Sequence, residues 1–275
     1  MANAKDATLT KTQRILLVGP SGAGKTTQIW TLPGKKFLYA FDPNAVQSLR
    51  GCDVDYEAFT PDVGDLNLAI KTLRKDKGKV VGDTSSSRRA LEPKTYIAWE
   101  ADFEDKLDSG FFNDYNWVIF DSITTFSDMV MDRILWYEGR LGKHPEQPDW
   151  TAQMATIQNV FRVFVNLPLN IMAMGHVEIR KDDTTNRTYG HIMVTGRLRA
   201  RLPLLFTNIW ACYCDSDAEA IDYGIQTRLD RNNPVIRTTI KGLDMYENVT
   251  IPLGKDNSYL NPEEHGIGRI LRDAT

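Results

Sequence analysis

The segment that most constrains the fold is RILLVGPSGAGKTT, residues 14–27 of the chain. An apolar run passes directly into a glycine-rich loop, and the loop ends on a lysine and two threonines. A short apolar run that ends in glycine is typical of a buried parallel strand, and the residues after Lys25 predict a helix that stops at Pro33. Because strand, loop and helix in this order form the repeating unit of a parallel sheet, the segment predicts an α/β fold.

The loop has the spacing of a phosphate-binding motif, since residues 19–26 match GxxxxGKT in full. Between a strand and a helix, successive backbone N–H groups and the helix N-terminus converge on an anion. We expect the lysine to bridge the β and γ phosphates of ATP and the Thr26 hydroxyl to bind Mg²⁺. Nine consecutive residues are then predicted to contact the nucleotide: Gly19, Pro20, Ser21, Gly22, Ala23, Gly24, Lys25, Thr26 and Thr27.

A magnesium site of this kind needs a second oxygen ligand, usually an aspartate at the end of a neighbouring buried strand. Asp121 has that position in WVIFDS, residues 117–122. It is also suited to cap a helix that begins near Ser122, and the two roles are compatible. We therefore predict Thr26 and Asp121 as the protein ligands of Mg²⁺.

The residue that activates water is expected outside this strand. Many phosphate-loop ATPases have a glutamate directly after the aspartate, whereas this chain has Ser122. Asp42 ends another predicted strand, FLYAFD (37–42), so its carboxylate would lie at the same sheet edge and could act as the base. An equally good interpretation is that Asp42 caps the turn into Pro43.

His176 lies near the end of a third predicted strand, NIMAMGHVE (170–178). At that edge its ring could donate a hydrogen bond to the γ phosphate and transmit the loss of that phosphate to the segment that follows. The alternative is a purely structural histidine.

The rest of the chain alternates between strand-like and helix-like segments, which predicts a mainly parallel sheet with helices on both faces. Trp99, Phe103 and Leu107 mark one helical face, and residues 64–75 have a second amphipathic pattern. The polar, basic stretch 75–93 is interpreted as a mobile excursion from the fold. After Ile209 the pattern becomes strand-like.

Composition and charge narrow the classes of protein. No apolar run approaches the roughly 20 residues of a membrane span, so no membrane association is expected. The three cysteines and an N-terminus without an apolar signal segment fit a reducing cytosol. With 33 Lys and Arg against 36 Asp and Glu, the net charge is −3, so nucleic-acid binding would need a local basic patch.

Four segments together, GPSGAGKT, FLYAFDPNAVQSL, VIFDSIT and MAMGHVE, resemble the RecA-like ATPase superfamily, in particular its compact phage-type members, which include single-strand annealing proteins. The resemblance implies a tail at 1–13, a RecA-like core at 14–215 and a strand-rich extension at 216–275. It also implies that Asp42 activates water and that His176 couples the γ phosphate to a DNA-binding loop. A homo-oligomer in a bacterial or phage-infected cytosol is expected.

The predicted DNA-binding segment is the basic stretch 178–201, since spaced cations follow a phosphate backbone and an aromatic ring stacks on a base. A solvated hairpin with ordinary surface charges is the alternative. In a further variant, Arg197, Arg199 or Arg201 reaches the nucleotide of a neighbouring subunit. The residues expected to contact single-stranded DNA are Arg180, Lys181, Arg187, Tyr189 and Arg197.

Three function classes remain open on sequence grounds. The favoured one is an ATPase that binds single-stranded DNA in recombination or annealing. The second is a RecA-like ATPase of another machine, such as packaging or assembly, in which the basic hairpin contacts protein. The third is a small-molecule kinase, which would need an arginine-bearing lid.

Overall fold

The computed structural model describes residues 12–60, 67, 70, 92–182, 187–216 and 221–274. Most of the helix predicted at 64–75 and of the excursion predicted at 75–93 lies outside these residues. The strands of the described part are β1 (Arg14–Gly19), β2 (Lys36–Ala40), β3 (Asp55–Ala58), β4 (Trp117–Asp121), β5 (Asn170–Asp182), β6 (Arg187–Ile192), β7 (Asn208–Ser216), β8 (Ile221–Gln226) and β9 (Tyr246–Asn248).

The strands form one mostly parallel sheet. β3, β2, β4, β5, β1 and β7 lie side by side in this order and run parallel, and β8 and β9 continue the sheet antiparallel beyond β7. β5 therefore separates the glycine-loop strand β1 from β4, which ends in Asp121. This arrangement confirms the predicted α/β fold with a strand-rich C-terminal part.

Helices lie on both faces of the sheet. The α-helices of the described residues are α1 (Lys94–Asp108), α2 (Ile123–Tyr137), α3 (Gln147–Asn166), α4 (Leu198–Arg201) and α5 (Gly266–Asp273). Short 3-10 helices are Thr26–Thr31, Ala45–Leu49, Phe111–Asp114, Leu202–Leu205 and Pro262–Glu264. Within the described ranges, no helix combines the length and apolarity needed to cross a membrane.

The core under α1, α2 and α3 is largely aromatic. Trp99 and Phe103 of α1 are buried as their spacing predicts, and Leu107 packs against the same cluster. The rings of Phe103 and Phe164 stack with centroids 4.8 Å apart. Since each such ring buries a large apolar area, this face holds the helices firmly on the sheet.

The opposite face is covered by the 3-10 helix Thr26–Thr31 and by α5. The two elements meet closely, because a Cβ on Gly268 would lie 1.8 Å from the Thr31 carbonyl oxygen. The Gln28 side chain donates to the Val249 carbonyl (3.0 Å) and accepts from the Ile267 N–H (3.0 Å). The C-terminal segment thus supports the helix that follows the glycine loop. Sequence reasoning did not predict α5: Ile267, Ile270 and Leu271 have helical spacing, but the segment has only eight residues and two of them are glycines, which disfavour a helix.

β5 is longer than the predicted strand and changes partner along its length. It pairs with β1 up to the Gly19–His176 register pair and then, from Val177 to Asp182, pairs antiparallel with β6. The prediction that His176 lies near the end of a strand is therefore wrong. β5 continues past it, and His176 is the residue at which β5 leaves the parallel sheet. The hairpin ends at Ile192, so residues 193–201 of the predicted basic hairpin form the following turn and α4.

Candidate nucleotide-binding site

The parallel register brings the ends of several strands to one edge of the sheet. Ala40 pairs with Asp121, Asp121 with Met174, and Gly19 with His176. A cavity of about 310 Å³ opens at this edge. The cavity is lined by nine of the predicted site residues: Ser21, Gly22, Gly24, Lys25, Thr26, Thr27, Asp42, Asp121 and His176.

The glycine loop has a conformation that depends on its glycines. Gly22 and Gly24 have φ angles of +81° and +75°, in the left-handed region that other residues avoid. Gly24 also has no space for a side chain, because a Cβ there would lie 2.7 Å from the Tyr223 ring. Between them, Ala23 is buried and anchors the loop to the core.

Lys25 is buried and points back along the loop. Its Nζ donates to the carbonyls of Gly19 (3.0 Å) and Pro20 (2.8 Å). Burial lowers the pKa of Lys25, while the charges of Asp121 and Asp42 oppose that shift. An ammonium group has three hydrogens, so one remains for a phosphate oxygen. The residue is thus positioned to bind an anion in the cavity.

Thr26 and Asp121 form a pair of hard oxygen donors. The Thr26 hydroxyl donates to Asp121 Oδ2 at 2.6 Å, and Asp121 is only 2% exposed. Burial raises the pKa of Asp121 to about 6, and the nearby Asp42 carboxylate acts in the same direction. A hydroxyl and a buried carboxylate suit Mg²⁺, whose charge would compensate the cost of ionising Asp121. The helix cap is Ser122, which accepts from the Thr125 N–H (3.4 Å), so the capping role considered for Asp121 is wrong.

Asp42 accepts hydrogen bonds from three side chains. Ser122 Oγ lies 2.7 Å from Oδ1, Thr125 Oγ1 donates to the same oxygen, and His176 Nε2 lies 2.8 Å from Oδ2. Burial opposes ionisation of this carboxyl, but the bonds from His176, Thr125 and Ser122 outweigh burial and lower the pKa of Asp42. These side-chain contacts run to α2 and β5 rather than to the turn at Pro43.

His176 connects the cavity to α2 through two contacts. Its ring nitrogen contacts Asp42, and its backbone N–H donates to Thr124 Oγ1 at 3.0 Å. The first turn of α2 therefore holds both predicted edge residues, Asp42 through Thr125 and His176 through Thr124. These threonines could not be identified from the sequence, because their partners are 52 and 83 residues away in the chain.

Tyr223 is a further residue that sequence reasoning missed. It belongs to β8, lines the cavity and packs against Gly24. Its ring offers a flat surface beside the loop, which a nucleotide base or ribose could contact. No sequence signal near IDYGIQ indicates this role, since the contact joins residues 199 positions apart.

The predicted DNA-binding residues do not lie on one surface. Arg180 and Tyr189 are register partners and so share a hairpin face, and Arg180 Nε donates to Glu178 (2.9 Å). Lys181 is exposed and, by strand alternation, belongs to the other face. Arg187 occupies the register position opposite Asp182. Arg197 lies beyond the hairpin, at the N-terminus of α4.

The fold and the site define the class of protein: a P-loop ATPase core of the RecA-like type, with the β1 loop, Asp121 and the intervening strand β5 at one edge. Residues 11–233 match the AAA domain family, so the chain belongs to that family. No curated protein matches the chain.

Two solved structures are similar in outline. One is the KaiC-like protein PH0186 from Pyrococcus horikoshii OT3, with 9% identity, a TM-score of 0.40 and coverage of 90% of this chain and 88% of that one. The other is the flagellar accessory protein FlaH from Methanocaldococcus jannaschii, with 10% identity, a TM-score of 0.34 and coverage of 88% and 87%.

We predict that Lys25→Met weakens ATP binding about 10- to 100-fold, because a charge-assisted hydrogen bond contributes roughly 1.5–3 kcal/mol. Lys36→Met is the matched control, since Lys36 is also buried and its Nζ also donates to two backbone carbonyls, those of Leu32 and Gly34. Titration calorimetry with a non-hydrolysable ATP analogue measures both. Equal affinity in the two variants would contradict the assignment of Lys25.

We predict that Asp121→Asn stabilises the nucleotide-free protein above pH 7 by about 1–3 kcal/mol. The carboxyl titrates near pH 3.9 in an unfolded chain and at about 6 in the folded protein. The folded state thus binds more protons between these values, so this residue lowers stability as pH rises from about 4 to 6, and the cost is complete above 6. The variant should lose this pH dependence.

Urea unfolding at several pH values measures the effect. Asp149→Asn is the control with the opposite sign, because Asp149 is also buried but the hydrogen bond from Arg140 lowers its pKa. That variant should be less stable than the parent at neutral pH. A destabilised Asp121→Asn at pH 8 would show that the carboxylate is compensated within the protein and needs no cation.

Proposed function

We propose that the protein is a Mg²⁺-dependent ATPase that binds single-stranded DNA and acts, as a homo-oligomer, in recombination or strand annealing of the phage type. The observation that carries this proposal is the path of β5. The same strand that places His176 beside Asp42 at the nucleotide cavity continues, from Val177 onward, as one arm of the hairpin with Arg180 and Lys181.

Each of the residues at the cavity has a different role in ATP hydrolysis. Lys25 binds the β and γ phosphates, and Thr26 and Asp121 hold Mg²⁺, which neutralises phosphate charge when bound. Asp42 orients the attacking water and accepts its proton. Three donors make this carboxylate a weak base, so its basicity rises only when one of them turns away.

His176 is the donor best placed to turn away, because its ring lines the cavity while the two hydroxyl donors belong to the first turn of α2. When the γ phosphate attracts the ring, Asp42 gains basicity and the start of the hairpin shifts with His176. Hydrolysis would reverse the change. ATP binding and the hairpin are in this way coupled through one side chain.

A second candidate is an ATPase whose hairpin contacts a protein. It is favoured by Ile179, which is 74% exposed on the hairpin face opposite Arg180. Exposed apolar residues of this kind are common at protein interfaces. The two candidates differ in one measurement, since single-stranded DNA should stimulate ATP hydrolysis only in the first.

We predict that Asp42→Asn retains ATP binding and loses hydrolysis at least about 100-fold, the scale expected for removal of a general base.

His176→Ala should retain DNA binding and basal hydrolysis but lose stimulation of the ATPase by DNA. Both are measured as phosphate release with and without single-stranded DNA. If single-stranded DNA stimulates ATP hydrolysis by the His176→Ala variant as much as by the parent, His176 has a structural role only.

For the hairpin, we predict that affinity for single-stranded DNA falls with salt at a log–log slope of about −0.7 per phosphate contacted, near −2 for three contacts. Replacing Arg180, Lys181 and Arg187 by alanine should flatten this slope and weaken binding to all sequences alike. A control triple variant changes the net charge equally at exposed lysines outside the hairpin: Lys143, Lys241 and Lys255.

Fluorescence anisotropy over a salt series measures both triple variants. The control should keep the parental slope. If the hairpin variant also keeps the parental affinity and slope, the hairpin is not the DNA site, and the protein-contact function becomes the better proposal.

A further inference from the structure

A second, larger cavity lies beside the nucleotide site and is not used by the mechanism above. Its volume is about 910 Å³, and it is bounded by α2, α3 and the segment that follows β6. We call it the arginine-lined cavity. The residues that matter for its chemistry are Trp150, Met154, Met193, Arg197, Arg199 and Arg201.

The apolar part of the cavity suits a flat aromatic ligand. Trp150 and Met154 from α3 are half-buried, and Met193 is 44% exposed. An indole ring stacks on any nucleobase, and thioether groups pack adaptably against aromatic rings. Such an apolar surface does not favour a charged phosphate, but it suits the flat face of a nucleobase.

The charged part of the cavity favours the same ligand. Arg197, Arg199 and Arg201 can bind phosphate oxygens, whereas Asp128 and Glu178 also line the cavity and would repel a phosphate that entered it fully. Carboxylates do accept hydrogen bonds from the amino groups of bases. The combination fits a nucleotide whose phosphate lies on the arginines and whose base lies inside.

One wall of the cavity has an unused acceptor. Gln153 is 2% exposed, and its Nε2 donates to the carbonyl (2.7 Å) and the hydroxyl (3.1 Å) of Ser127. Its Oε1 has no hydrogen-bond partner in the part of the chain that the structure describes. A buried amide oxygen without a partner is costly, and a small rearrangement of this wall that opened Oε1 to a donor on a bound ligand would remove that cost.

The cavity is also connected to the nucleotide site. Thr124 lines it and accepts from the His176 N–H, and the next residue, Thr125, donates to Asp42. The hairpin face with Arg180 and Tyr189 includes Glu178, which lines the same cavity. A ligand here therefore contacts both the hairpin and the first turn of α2.

We propose that the arginine-lined cavity receives one unstacked nucleobase of a bound single strand, with the neighbouring phosphates on Arg197, Arg199 and Arg201. This inference rests on the proposed function, since it presumes that a single strand follows the hairpin. It adds a base-binding site beyond the hairpin and places that site against the helix turn that holds Asp42.

The test compares a mixed-sequence single strand with an abasic strand of the same length, which keeps the phosphates and lacks the bases. The parent protein should bind the intact strand about 5- to 100-fold more tightly, the range expected for base stacking. Trp150→Leu keeps an apolar side chain without the ring and should lose about tenfold in affinity for the intact strand only. Trp150→Phe should keep most of the preference.

Two further variants make the result specific. Met193→Ser changes a half-exposed cavity residue, which should fold normally, and is expected to weaken binding of the intact strand a few-fold and leave binding of the abasic strand unchanged. Tyr56→Leu is the control, because Tyr56 is an aromatic residue 49% exposed on the edge strand β3. It should bind both strands like the parent.

The outcomes separate the two proposals. If the parent binds neither strand, the proposed function itself fails. If the parent binds single-stranded DNA but does not distinguish intact from abasic strands, or if the Trp150 and Met193 variants weaken both strands equally or neither, the base site is wrong and the DNA-binding function stands. Binding of a protein segment in the cavity would give this second result.

Discussion

The structure depends on the parallel register of β5 between β4 and β1. Because parallel strands in register end at the same edge, this one arrangement places Asp121, His176 and the glycine loop around a single cavity. None of these residues is close to the others in sequence. Their proximity is a consequence of strand order, and the large aromatic core under α1, α2 and α3 keeps that order fixed.

Strong local patterns in the sequence were sufficient to predict the strands and the glycine loop that position the site. The apolar run and glycine loop at 14–27 predicted β1 and the loop, and WVIFDS predicted β4 with Asp121 at its end. Contacts made by tertiary packing could not be predicted in this way. Thr124, Thr125 and Tyr223 have ordinary local sequences, and only the fold brings them to the cavity.

Two predictions about elements differ from the structure for a common reason. β5 continues past His176 because β6 provides a second pairing partner, and a strand's length is decided by its partners as much as by its own residues. The helix after Lys25 is a short 3-10 helix held by α5, an element that comes from the far end of the chain. Both features depend on long-range contacts, which a local pattern does not contain.

The two carboxyl groups near Lys25 in the nucleotide cavity, those of Asp42 and Asp121, differ in how their negative charge is compensated. Asp42 is ionised readily because three donors hold it, whereas Asp121 has a single hydroxyl donor and is penalised by burial and by the charge of Asp42. The charge of Asp42 is therefore compensated by donors of the protein, whereas the charge of Asp121 is left to be compensated by a bound cation. Since His176 is among the donors that compensate Asp42, moving its ring alters the charge balance of the whole cavity. Under the proposed mechanism, nucleotide binding and the position of the hairpin strand change together, because His176 belongs to the strand that forms the hairpin.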